Sequence, residues 1–206
     1  HLSGASSFKR WDWVTYEWRE PTRDRRPESC HVFEDTLMVD GSVKKSERSG
    51  LLSPYISPSV SVAADAGKSL AIINPKNTRF SAKPKKPDQV AKEKSAFQDA
   101  AKQLGMFDEE LAAIEPTPYE FRFAFDDESG KHNYQNGDWE AHTMFWKRRK
   151  EGKSDKEILA WMDDVFNVQY KEAGMLFAVG NMASRPQTWQ LLGVLRVAES
   201  EQTFLF

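Results

Sequence analysis

Aromatic residues alternate strictly with smaller or charged residues in segment 119–125, Tyr-Glu-Phe-Arg-Phe-Ala-Phe. A period of two places all of these aromatic side chains on the same face of an extended strand. Ser129 and Gly130 follow as a turn signal. The pattern predicts a β-strand with one buried face that ends at a tight turn.

Two helices are predicted after this strand. Asp138 is a suitable N-cap for a helix that runs through Trp139 and ends near Gly152. Ser154 and Glu157 match a capping box, in which each side chain binds the other residue's backbone amide. The apolar positions of the second helix form one wide face: Ile158, Leu159, Trp161, Met162, Val165 and Phe166.

Two apolar runs near the carboxyl end predict a pair of strands. They cover residues 175–179 and 188–195, and the loop between them, at 181–186, has the length of a hairpin connection. The order across residues 118–197 is therefore strand, helix, helix, strand, strand. We expect an α+β module in which an antiparallel sheet carries two helices on one face.

The amino-terminal part of the chain is less regular. Short runs with strand composition at 11–18, 36–39 and 70–73 favour a small β-barrel-like or sheet domain. Residues after 82 are basic and rich in proline and then loosely helical, which is typical of a connector. The predicted class is α+β, with a β-rich domain at 1–81, a connector with short helices at 82–117, the α+β module at 118–197 and an interaction tail at 198–206.

Composition narrows the possible functions. The 206 residues carry a net charge of -2 and a mean hydropathy of -0.67, so any basic site must be a local patch. The single cysteine, Cys30, excludes an internal disulfide and fits the cytoplasm. No apolar run approaches the roughly 18 residues that span a membrane, and no phosphate loop is present, so we expect no membrane partner and no cofactor. The absence of an initiator Met favours a fragment or a processed form.

Four arginines lie within eight positions of one proline-flanked loop: Arg19, Arg23, Arg25 and Arg26. The planar guanidinium group binds phosphate through two parallel hydrogen bonds, so this loop is a candidate phosphate clamp. Glu20, Asp24 and Glu28 lie in the same segment and could instead form ion pairs that hold the loop to its own domain. Both interpretations stay open at this point.

A second basic cluster closes the first predicted helix of the module: Lys147, Arg148, Arg149 and Lys150. The helix dipole favours cations at a helix C-terminus, which explains the cluster without any ligand. Trp139, Phe145 and Trp146 lie nearby, so the helix could also follow a nucleic-acid backbone and offer rings for stacking. Arg185 in the hairpin loop is a further candidate, facing either a ligand or a neighbouring carboxylate.

Carboxylates and imidazoles are dense in one region only, and a metal-dependent nuclease would use four of its residues: Asp126, Asp127, Glu140 and His142. Oxygen ligands of this kind suit Mg²⁺. Residues 126–130, however, form an ordinary polar hairpin turn in the predicted fold. The preferred interpretation therefore has no catalytic residue and no metal site, and the nuclease is kept as an alternative.

The chain ends in an apolar peptide, residues 202–206, directly after the solvated residues 199–201. This ending resembles the peptides by which many bacterial DNA-processing proteins bind the replication sliding clamp. The resemblance implies that Gln202 forms hydrogen bonds at the rim of a pocket that Leu205 and Phe206 fill. The alternative is a tail that packs on the protein's own core.

Three stretches together resemble an uncharacterised family of bacterial proteins. They are 8–14 with 25–29, then 69–75, and finally 176–181 with Trp189 and 192–194. The resemblance implies a small β-rich domain, similar to nucleic-acid-binding barrels, joined to an α+β module, with an extra strand ahead of Phe8. That extra strand belongs to the similar proteins, so the resemblance implies that this chain lacks one edge of its first domain. The resemblance also implies an association with mobile elements and defence, and it brings no catalytic residues.

These observations favour a cytoplasmic, non-enzymatic protein that binds the DNA backbone through basic loops and is recruited by a clamp-like partner through its tail. A metal-dependent nuclease is one alternative. A scaffolding subunit of a larger assembly is another, and exposure of the many aromatic residues would favour it.

Overall fold

A computed structural model describes residues 8–24, 26–103 and 115–197 of the chain. The class is α+β, as predicted. The strands are β1 Asp12–Thr15, β2 Trp18–Arg19, β3 His31–Val32, β4 Met38–Ser42, β5 Ile56–Ser57, β6 Leu70–Ile73, β7 Lys76–Pro84, β8 Tyr119–Asp127, β9 Gly130–Gln135, β10 Met175–Met182 and β11 Arg185–Arg196. The helices are α1 Arg48–Leu52, α2 Val60–Asp65, α3 Pro87–Gln103, α4 Trp139–Lys150, α5 Asp155–Asp164 and α6 Tyr170–Glu172. A π-helical stretch, Val165–Gln169, joins α5 to α6, and 3-10 turns lie at Glu34–Thr36, Lys45–Glu47 and Ser53–Tyr55.

One sheet is built on the alternating segment and has the antiparallel order β7-β8-β9. The phenylalanines of β8 are 2%, 0% and 1% exposed at Phe121, Phe123 and Phe125, so the predicted buried face is confirmed. Glu120, Arg122 and Asp126 alternate with them and are only partly buried, whereas Asp127, at the end of the phenylalanine face, is buried. The turn after β8 is confirmed as well, and it leads into β9, a polar strand that the pattern does not predict.

The second sheet has the order β11-β10-β6-β5. The strands β10 and β11 form the predicted hairpin, while β6 pairs antiparallel with β10 and parallel with β5. An isolated bridge from Asn136 to Leu191 links this sheet to the end of β9. Phe177 on β10 has its ring centroid 5.1 Å from those of Phe123 and Phe125, so both sheets share one core.

The helices α4 and α5 cover this core, and both predicted N-termini are confirmed. Asp138 accepts a hydrogen bond from the amide of Glu140, and Ser154 and Glu157 form the capping box. Phe145 of α4 and Ile158 and Met162 of α5 are at most 1% exposed.

The π-helical stretch fastens the end of α5 to β7. The side chain of Asn167 accepts a hydrogen bond from the Phe80 amide at 2.8 Å and donates one to the Phe80 carbonyl at 3.3 Å. Because Phe166, beside it, packs on Phe80 with centroids 4.9 Å apart, polar and apolar contacts act at the same place.

The described part of segment 82–117 is more regular than the expected connector. Strand β7 continues to Pro84, and α3 extends over 17 residues. Strand β7 lies at a sheet edge, where lysine and proline are tolerated. Because these residues are not typical of strands, the sequence pattern does not reveal it. Residues 56–84, which the sequence analysis placed mainly in the amino-terminal part, supply β5, β6 and β7 to the two large sheets.

The amino-terminal residues form two ribbons, β1–β4 and β2–β3, each with two antiparallel strands. Of the two forms expected there, a barrel-like or a sheet domain, the described residues show small sheets and no closed barrel, and their strands have two to five residues. Such ribbons have little core of their own, and Trp13, Trp18 and Met38 are 54%, 56% and 59% exposed. Within the described ranges, no helix combines the length and the apolar character needed to cross a bilayer.

Candidate nucleic-acid interface

A cavity of about 640 Å³ opens beside α4. The described residues that line it are Glu115, Trp139, His142, Thr143, Trp146, Lys147, Arg149 and Lys150. All of them except Glu115 belong to α4, and their spacing of three and four residues places them along one face of the helix. We call this feature the α4 cleft.

Aromatic rings form the floor of the α4 cleft. Trp139 and His142 are stacked, with centroids 5.8 Å apart and planes 9° from parallel. Phe97 of α3 contacts Trp139 edge-on at 6.3 Å. Trp146 donates a hydrogen bond from Nε1 to the carbonyl of Glu115 at 2.9 Å, which ties α4 to the segment before β8. The rings are therefore held from three different parts of the chain.

The last turn of α4 supplies the cations, and they differ in what they contact. Arg148 lies over the ring of Trp161 at 4.3 Å and near Glu151 at 3.4 Å, so internal contacts occupy it. Arg149 lies 3.5 Å from Asp155 and over the ring of Trp146. Lys147 and Lys150 are exposed and have no ion pair within the described ranges. Two lysines at the rim are thus available for a ligand.

The electrostatics of the floor differ from those of the rim. Burial lowers the pKa of His142 below its ordinary value of 6.5, Lys85 adds to this effect, and Glu93 and Asp138 oppose it. The imidazole is therefore neutral at pH 7. The carboxylate of Glu115 is 3.0 Å from Lys94 and is compensated by it. An uncharged aromatic floor with a positive rim results.

A hydrogen-bonded junction fixes the start of α4 beside the cleft. One carboxylate oxygen of Asp138 accepts from the Glu140 amide at 2.9 Å and the other from the Val194 amide at 2.8 Å. Arg10, from the amino-terminal segment, donates to the Val194 carbonyl at 2.7 Å and lies 3.0 Å from Glu140. Burial raises the pKa of Glu140, Arg10 opposes this shift, and Asp138 adds to it. This junction positions Trp139, the next residue after Asp138.

The arginine loop is arranged differently from the α4 cleft. Arg26 binds the carboxylate of Asp24 through Nε at 2.9 Å and Nη2 at 2.5 Å, and it donates from Nη1 to the carbonyl of Asn181 at 2.6 Å. These hydrogen bonds are the main reason that the pKa of Asp24 lies well below its ordinary value. Glu28 accepts hydrogen bonds from Ser69. For Arg26 the observed contacts are those of the structural alternative, in which acidic groups hold the loop to the protein.

The other arginines of this loop stay open as binding residues. Arg19 and Arg23 are exposed and have no ion pair among the described residues. Arg25 lies outside the described residues. None of the described arginines of the loop lines the α4 cleft, so phosphate binding by Arg19 and Arg23 stays a prediction about a separate surface.

Two further predicted binding regions lie apart from the cleft or outside the described residues. Arg185 is exposed at the start of β11, opposite Met182, and does not line the α4 cleft. The tail with Gln202, Leu205 and Phe206 lies outside the described residues, so the clamp hypothesis stays a prediction from the sequence.

The four residues of the nuclease alternative occupy two places. Asp126 and Asp127 lie at the end of β8, where Asp126 accepts from Asn77 at 2.7 Å and Asp127 accepts from the Val60 amide at 2.9 Å. Glu140 and His142 lie on α4. In the part of the chain with described coordinates, no three His, Cys, Asp or Glu side chains are grouped so that they could hold a metal ion. The arrangement required by this alternative is therefore not assembled there.

Sequence reasoning identified the tryptophans and cations of α4 but missed their partners. Phe97, Lys94 and Glu115 come from α3 and the segment before β8, and Arg10 comes from the amino-terminal segment. Phe97 was the one available signal, because it is the only aromatic residue of the α3 sequence.

Two family models match the chain. Residues 59–206 match the model described as Domain of unknown function (DUF8757), and residues 1–54 match the one described as Domain of unknown function (DUF8758). The gap between the two matches, residues 55–58, contains the whole of β5. No curated protein and no solved structure matches the chain significantly.

Proposed function

The chain belongs to the family of the domain of unknown function DUF8757, and we propose that it is a non-enzymatic accessory protein that binds nucleic acid at the α4 cleft. The observation that carries this proposal is that two lysines without ion pairs among the described residues, Lys147 and Lys150, lie at the rim of an aromatic cavity. A positive rim attracts phosphate, and exposed rings give bases a surface to stack on.

The remaining parts of the proposal come from the sequence. The protein acts in the cytoplasm of a bacterium, and its tail at 202–206 recruits it to the replication clamp. Arg19 and Arg23 add phosphate contacts from the arginine loop. Deletion of 202–206 is expected to abolish clamp binding in a pull-down while the thermal midpoint stays unchanged. A deletion that unfolds the protein would instead assign the tail to its core.

The salt dependence of binding tests the role of the rim. Replacement of Lys147 and Lys150 by Gln removes two phosphate contacts, so the slope of log affinity against log salt is expected to become shallower by about 1.4–1.8. The assay is fluorescence anisotropy with a labelled oligonucleotide at several salt concentrations.

The matched control for this test replaces Lys156 and Lys171 by Gln. Both are exposed, neither lines the α4 cleft, and the net charge changes by the same amount. If this control flattens the slope as much as the rim variant, the attraction is general and the α4 cleft is not the site. If the unmodified protein binds no nucleic acid, the proposed function is wrong.

A second candidate function, that of a scaffolding subunit, is favoured by a different observation. Trp13, Trp18 and Met38 on the amino-terminal ribbons are more than half exposed, and apolar patches of this kind are typical of surfaces that bind another protein. Sedimentation at increasing concentration, with a Trp13→Ser/Trp18→Ser variant as control, checks this candidate. A chain that stays monomeric and binds no apolar dye at the ribbons would count against it.

A further inference from the structure

The aromatic floor of the α4 cleft can distinguish single-stranded from double-stranded nucleic acid, whereas the positive rim attracts both. The bases of a duplex are stacked on one another, whereas an unpaired base can place its face on a protein ring. Trp139 is 51% exposed even though His142 is stacked on it and Phe97 contacts it. A large part of this indole therefore remains open for stacking.

The balance between charge and stacking decides which nucleic acid fits. Two unpaired lysines neutralise few phosphates, and a duplex held by so few contacts loses its affinity at moderate salt. One base stacked on an aromatic side chain contributes roughly 5- to 150-fold in affinity. A strand with accessible bases obtains this contribution in addition to the phosphate contacts, and a duplex does not.

Two donors of the floor are already used within the protein. Thr143 donates its hydroxyl to the Trp139 carbonyl at 3.1 Å, and the indole N–H of Trp146 is bound to the Glu115 carbonyl. Neither of these donors is free to bind the edge of a base. The cleft is therefore suited to accept bases by their faces, with little dependence on sequence.

The size of the cleft agrees with this role. Its volume of about 640 Å³ lies within the range of roughly 300–1,000 Å³ that is typical of ligand sites. The lysines follow Trp146 along the same helix face, so phosphates can lie at the C-terminal end of α4 while bases lie over the rings nearer its start.

We propose that the ligand of the α4 cleft is single-stranded nucleic acid, with bases stacked on Trp139 and phosphates bound by Lys147 and Lys150. This inference rests on the proposed function and narrows it to one class of ligand. The same chemistry is offered by single-stranded DNA and single-stranded RNA, which differ in the 2′-hydroxyl group.

The test compares three labelled probes by fluorescence anisotropy: an oligo-dT strand, an oligo-rU strand of the same length, and a blunt duplex. We expect the single strands to bind more tightly than the duplex. A Trp139→Ala variant is expected to lose about 5- to 150-fold in affinity for the single strands and little for the duplex. The single strand that binds with the higher affinity shows whether the ligand is DNA or RNA.

Two further variants keep the test decisive. Trp139→Phe retains a ring and is expected to recover most of the affinity. Tyr55→Ala removes an aromatic ring that is 66% exposed, against 51% for Trp139, from a 3-10 turn outside the cleft, and is expected to leave the affinity unchanged. Duplex binding as tight as single-strand binding, or an unchanged affinity in Trp139→Ala, overturns this inference but leaves the proposed function in place. Absence of binding to all three probes overturns both.

Discussion

Replacement of Asp138 by Ala is expected to destabilise the fold by about 1.5–5 kcal/mol. The carboxylate, 5% exposed, caps α4 with one oxygen and binds the Val194 amide of β11 with the other. Loss of an N-cap costs about 0.5–2 kcal/mol. A buried amide left without its acceptor costs about 1–3 kcal/mol more.

Two other effects of this change are smaller. Arg10 lies 3.6 Å from Asp138 but keeps its contacts with Glu140 and the Val194 carbonyl, so the lost ion pair contributes little. Removal of the Asp138 charge also relieves part of the repulsion that raises the pKa of Glu140, which offsets some of the loss.

Urea unfolding at pH 7, followed by tryptophan fluorescence, measures this loss as a change in the free energy of unfolding. Asp138→Asn is expected to lose less than Asp138→Ala, because an amide has one acceptor oxygen and can satisfy one of the two backbone amides. Ser154→Ala removes an exposed cap from α5 and is expected to cost about 1 kcal/mol. If Asp138→Ala costs no more than Ser154→Ala, the hydrogen bond to Val194 adds nothing and the argument is refuted.

Two further predictions concern His142 and Gly174. Because burial lowers the pKa of His142 in the folded state, the free energy of unfolding should be highest above the unfolded pKa of about 6.5 and should fall as the pH drops below that value. A His142→Phe variant should lose this part of the pH dependence in urea titrations at pH 7.5 and 5.5. The same dependence in both proteins would contradict the assignment. Gly152 has φ +82° and open space around it, so Gly152→Ala should cost only the roughly 1–2 kcal/mol of left-handed backbone strain. Gly174 has φ +74°, and a Cβ there would also lie 2.8 Å from the Val197 carbonyl oxygen. Gly174→Ala should therefore cost more than Gly152→Ala. Equal losses in the thermal unfolding of these two variants would exclude the close contact with Val197.

The elements that sequence reasoning predicted well are those in which local pattern and tertiary environment agree. Strand β8 alternates because one face is buried, and α5 begins at Ser154 because the capping box satisfies its first amides. These causes act within a few residues of the chain, so the sequence alone contains them.

The elements that were missed depend on distant partners. Strand β9 is a polar edge strand, held by pairing with β8 rather than by an apolar face. The parallel pairing of β5 with β6, and strand β7 within a lysine- and proline-rich stretch, also depend on neighbours in the sheet.

The same distinction holds for the candidate site. The rings and cations of α4 are apparent in one segment of the sequence. Their enclosure requires Phe97 and Glu115, which α3 and the approach to β8 bring to them, and no local signal relates those residues to Trp139 or Trp146.

The amide of Asn167 affects how this protein can associate with other chains. Strand β7 is the outer strand of its sheet, and outer strands offer free backbone groups to which another chain can add. Asn167 already occupies both the amide and the carbonyl of Phe80, as a neighbouring strand would. Growth of the sheet into an intermolecular one is therefore obstructed at Phe80, in the middle of this edge.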